Sequence, residues 1–95
     1  MQYDDFIKLT KESEPSEKLS GIHLAIWYAI KDNWDMAHNI VQDINSETAF
    51  CIHAYLHRVE GDIVNANYWY NLAKKKSSSK SLESELNDII KKVFL

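Results

Sequence analysis

A chain of 95 residues with 45% apolar and 26% charged side chains is an ordinary globular domain with room for one modest core, and its net charge of −3 excludes a basic nucleic-acid footprint. A single cysteine, Cys51, excludes an internal disulfide framework and a cysteine zinc site. With no signal-peptide pattern and no apolar run of membrane-spanning length, the expectation is a cytoplasmic protein that engages neither membrane nor nucleic acid.

Two glycines and one proline point to helices with few tight turns. Residues 2–12 carry Tyr3, Phe6 and Ile7 at helical spacing, which predicts a short amphipathic helix. Pro15 disfavours helix before it and suits a first turn, so a second helix is expected from about there to Lys31. Leu19, Ile22, Ile26 and Ile30 line one side of it, with Leu24, Trp27 and Tyr28 on adjoining faces, and a helix apolar nearly all round is expected to be buried. Gly21 inside it would mark a close helix crossing. Asp32-Asn33 breaks the pattern. A third helix covers about 34–43, and Asn45-Ser46 offers the cap of a fourth that ends at Glu60. Gly61 can close that helix in the left-handed conformation, and Asp62 can cap a fifth over about 62–75. The run from Lys74 to Lys80 reads as a polar, solvated connector. The last helix, about 80–94, sets Leu82, Leu86, Ile89, Ile90, Val93 and Phe94 on one docking stripe.

An offset of 29 positions recurs: Ala25 with Ala54, Tyr28 with His57, Asp32-Asn33 with Gly61-Asp62, and Ala37 with Ala66. The order of small residue, ring, polar break, bulky apolar and alanine resembles the tetratricopeptide pattern over residues 20–74. That pattern has a period of ~34 residues, so the second helix of the first hairpin is expected to be about one turn short. The stretch His53-Ala54-Tyr55-Leu56-His57-Arg58, Glu60-Gly61-Asp62, Asn65-Ala66 and Tyr68-Trp69-Tyr70 is also similar to a family of small, functionally uncharacterised bacterial proteins. The resemblance implies a compact all-helical domain and carries no activity, cofactor or partner. The expected architecture is a single all-α domain over 1–95. It holds two tetratricopeptide-like hairpins, about 16–43 and 46–75, flanked by terminal helices.

No residue pattern specifies a reaction. There is no nucleophile elbow and no phosphate-cradling glycine loop, and Cys51 reads as a packed small hydrophobe. His53 and His57 lie four apart on one helix face, a spacing that can present two imidazoles to a metal, with His38 available from the neighbouring hairpin. Their alignment with the inner-face residues Leu24 and Tyr28 favours buried imidazoles hydrogen-bonded within the protein, with Tyr70 and the side chains near the break as candidate partners, so neither metal nor cofactor is expected. Arg58 with Glu60 and Asp62 reads as a cap plus a local ion pair. Tyr68, Trp69 and Tyr70 cannot all enter one core, because adjacent residues on a helix point apart. The leading expectation is therefore a non-catalytic interaction module that binds a protein partner or itself as a homodimer, with Tyr68 and Trp69 among its contact residues. The rival is a small-ligand or metal-binding protein, or an enzyme, centred on His53, His57 and Arg58.

Overall fold

The computed structural model describes residues 1–95 and is entirely helical: α1 (Tyr3–Leu9), α2 (Gly21–Ile30), α3 (Trp34–Val41), α4 (Glu47–Val59), α5 (Ile63–Leu72) and α6 (Leu82–Phe94). Two tetratricopeptide-like hairpins, α2–α3 and α4–α5, stack so that α4 packs against α2, α3, α5 and α6. No helix is long and apolar enough to cross a membrane.

The hairpin turns explain the 29-residue offset. Asp32 and Gly61 take positive φ, +59° and +83°. The amides beyond them bond back in the same way, Asp32 N–H to Ala29 O and Asn33 N–H to Tyr28 O, Gly61 N–H to Arg58 O and Asp62 N–H to His57 O. This paired closure satisfies carbonyls that a helix end leaves free. The next helix is then capped from the same position. Asn33 accepts from Met36 N–H at 3.2 Å and Asp62 from Asn65 N–H at 3.1 Å. Lys74, φ +59°, closes α5 by the same device, with Lys75 N–H bonded to Tyr70 O. The second helices of the two hairpins differ a little in length, 8 residues in α3 and 10 in α5.

The second helix starts later than Pro15 suggests. Ser16 Oγ accepts from Lys18 N–H at 3.2 Å and Ser16 O from Leu19 N–H at 3.0 Å, which folds a tight turn. That turn delivers Leu19 into the core before α2 begins. Gly21 therefore opens α2 rather than sitting at a crossing. Its φ is +55°, it is exposed, and a Cβ built there would meet nothing within 4 Å. Its use is conformational freedom.

The core runs from Phe6 through Ala25, Ile26, Trp27, Ala37, Val41, Ile52 and Leu56 to Ile89 and Ile90. The terminal helices close it together, because Phe6 stacks on Phe94 with ring centroids 4.5 Å apart. Trp27 Nε1–H donates to Leu9 O at 2.9 Å and ties α2 to the end of α1. On α6 the apolar stripe is interrupted. Leu82 is exposed, and the buried place one turn on belongs to Glu85, only 7% accessible.

The turns yield a paired test. Gly61→Val should lower stability by about 1 kcal/mol or more, because a β-branched residue fits positive φ poorly. Asp32→Gly should cost nothing, since it relieves the same conformation in the first hairpin. Urea unfolding midpoints of the two variants check the contrast.

Candidate functional site

Three helices each present a pair of residues four apart to one open pocket of about 540 Å³: Trp34 and His38 from α3, His53 and His57 from α4, Asn65 and Trp69 from α5. Four-residue spacing sets the members of each pair one above the other on a single helix face. Trp34 is held in place by its indole N–H, which donates to Leu56 O at 2.5 Å and clamps α3 to α4.

The rings pack closely. His38 stacks on Trp34 at 4.6 Å, and His53 on Trp69 at 3.7 Å with 12° between planes. His38 stands edge-on to His53 at 4.6 Å, and His53 and His57 lie 4.9 Å apart. One nitrogen from each of His38, His53 and His57 falls within 4.8 Å of the others. Glu60 Oε1 meets His57 Nδ1 at 2.6 Å, so the expected partner of one imidazole comes from the hairpin break. His53 departs from expectation, since its Nδ1 is buried and has no hydrogen-bond partner. Tyr70 does not supply one, because its hydroxyl donates to Glu85 at 2.5 Å instead. Burial, with His38 and His57 close by, pushes the His53 imidazole down to about 4, and burial and His57 also lower His38.

Arg58 does not join this cluster. Neighbouring helical positions point roughly 100° apart, and Arg58 faces α6. There Nη1 donates to Glu85 Oε1 at 2.8 Å and Nη2 donates to Lys80 O. The local ion pair expected at the hairpin tip is thus replaced by a long-range one, while Glu60 serves His57 and Asp62 serves as cap. Glu85 itself was not singled out in the sequence. The available signal was an acid one turn after Leu82 and one turn before Ile89, inside an otherwise apolar stripe.

The aromatic triplet divides three ways. Tyr70 is buried against α6, Trp69 is half-buried on His53, and Tyr68 is exposed. The connector is not simply solvated: Lys75, Lys76, Ser78 and Lys80 line a second pocket of about 220 Å³ over Cys51, Tyr70 and Ile89. Burial raises the Cys51 thiol, which suits a packed and unreactive cysteine.

Fold and site together define an all-helical, two-hairpin domain with a histidine-tryptophan pocket on the seam of α3, α4 and α5. No family model, curated protein or solved structure matches the chain.

The pocket makes stability depend on pH. An unfolded histidine takes up a proton near pH 6.5, whereas folded His53 resists charging until about 4. Stability is therefore full above about pH 6.5 and falls as pH drops toward 4, by up to about 3 kcal/mol from this group. His38, lowered in the same direction, adds to the fall. His53→Phe, which keeps a ring against Trp69, should flatten the decline in thermal midpoint between pH 7 and 4.5. An equally steep decline in the variant would show that His53 is not its source.

Proposed function

We propose that the chain is a non-catalytic self-association module that pairs with a second copy through the outward face of α5. The observation that supports it is the character of that face. Val64, Tyr68 and Leu72 follow one another at four-residue spacing with 85%, 57% and 40% of their surface exposed, and Ile63 beside them shows 53%. Asn67 and Asn71 complete the face, and the helix carries no charged residue at all.

In a chain that is 26% charged, an uncharged apolar helix face is an expensive surface to leave in water. A two-fold interface brings one patch against itself, so any charge on it would meet its like. This face avoids that. Its ends are complementary as well, with Glu60 and Asp62 before α5 and Lys74, Lys75 and Lys76 after it. An antiparallel pair of α5 helices would set each acidic end beside the partner's basic end, which favours that orientation over the parallel one.

The equivalent closures and caps at 32–33 and 61–62 support a reading of the two hairpins as copies of one helical repeat, a scaffold suited to presenting a helix face. One buried free cysteine fits a reducing compartment such as the cytoplasm.

Light scattering at high micromolar concentration should give twice the 11.1 kDa mass of one chain. Tyr68→Glu should weaken the pairing by about 2 kcal/mol, roughly 30-fold, while leaving the far-UV circular dichroism unchanged. A monomer mass for the native chain under those conditions would refute the proposal.

A further inference from the structure

We infer that His38, His53 and His57 form a binding site for one divalent transition-metal ion of the zinc, nickel and copper class. The site adjoins the α5 face proposed for pairing and is independent of it.

The nitrogens are already gathered. A tetrahedral zinc site with bonds of ~2.0–2.1 Å has ligand-to-ligand edges of roughly 3.4 Å. The three imidazole nitrogens lie within 4.8 Å of one another, so a swing of each ring by roughly 1 Å reaches that geometry. His53 and His57 come from one face of α4 and His38 from α3 in the preceding hairpin, so the site bridges two packed units.

Two further observations point to a cation. The first is the unpartnered Nδ1 of His53, buried among rings none of which hydrogen-bonds to it. A neutral imidazole with its proton on Nε2 has a lone pair at that atom, and a metal ion accepts such a pair where no protein donor is present. The second is the pairing of His57 Nδ1 with Glu60. It fixes the tautomer and leaves Nε2 as the nitrogen His57 has free, the carboxylate–histidine arrangement that orients and strengthens a metal ligand. Trp34 and Trp69 hold His38 and His53 from behind by stacking, which limits the rotamers the two rings can explore.

The donor set selects the ion. Three imidazoles without a thiolate or a carboxylate suit zinc, nickel and copper, whereas magnesium and calcium require oxygen ligands. Three protein ligands in an open pocket leave a further position for water or a small exogenous ligand.

Titration of the full chain tests this with the metals alone. Nickel(II) or copper(II) should quench tryptophan fluorescence saturably, because Trp34 and Trp69 touch two of the three ligands. Calorimetry with zinc(II) should give one ion per chain, and magnesium(II) should not bind. His38→Gln and His57→Gln should each weaken binding at least about 30-fold, and Glu60→Gln about 10-fold. His23→Gln, on α2 against Phe94, should leave it unchanged. His38 is only half-buried, so its variant should retain the native circular dichroism and melt cooperatively. Absence of saturable binding at millimolar metal, or undiminished binding by a folded His38→Gln chain, would overturn the inference.

Discussion

The structure depends on the enclosure of the middle of α4. Seven consecutive residues, Cys51 to His57, are buried, so for two turns the helix has no face in water. Enclosure on every side requires neighbours on every side, and α2, α3, α5 and α6 each supply one. It also requires close approach, which Ala49 and Ala54, both without accessible surface, permit. Its chemical consequence is that a polar atom buried there with no access to water must be satisfied by protein. His57 meets this condition through Glu60 and Arg58 through Glu85. His53 does not, which singles it out among the residues of the helix.

Glu85 shows the same constraint from the other side. A buried carboxylate is tolerable only when its charge is matched and its oxygens are occupied. Arg58 takes Oε1 and Tyr70 takes Oε2, so one side chain of α6 is bonded to both helices of the second hairpin. Apolar contact alone lets a helix slide along a surface, whereas two directed bonds to one carboxylate fix its register. Arg58 also donates to Lys80 O, just before α6 begins, and so ties the end of the connector to α4. Removal of either partner would leave a buried charge half-satisfied, a larger loss than the net worth of the bond.

What the sequence revealed and what it withheld divide along the range of the interaction. The second turn is legible because its causes are local, a glycine that takes positive φ and then an aspartate that caps the next helix; at Asp32-Asn33 the sequence shows only a break, and the positive φ of Asp32 and the Asn33 cap come from the structure. Asp32-Asn33 and Gly61-Asp62 perform one task with different residues, closing one helix and capping the next. The start of α2 was misjudged because Pro15 permits a helix start without requiring one, and Ser16 offered its oxygens to a competing turn. The partner of Arg58 could not be read at all, because Glu85 lies 27 positions away and nearer acids were available. His53 was expected to find a donor because buried imidazoles normally do. Only the three-dimensional packing shows that the rings around it bring no hydrogen-bonding atom within reach of Nδ1.

The triplet Tyr68-Trp69-Tyr70 shows how strictly helix geometry divides labour. Successive side chains point about 100° apart, so three adjacent rings cannot serve one surface. Tyr70 completes the carboxylate node of α6, Trp69 forms the wall behind His53, and Tyr68 is left in solvent with Val64 and Leu72. In the linear sequence the triplet looks like one aromatic patch. On α5 it connects three environments, a buried ionic node, an imidazole pocket and an uncharged outer face. Because Trp69 is packed at 3.7 Å on His53 and Tyr70 is bonded to Glu85, the helix is held on two sides. Its third side, with Val64, Tyr68 and Leu72, is the one left in solvent. The anchoring of α5 inside the domain and its availability outside it thus follow from the same spacing of residues.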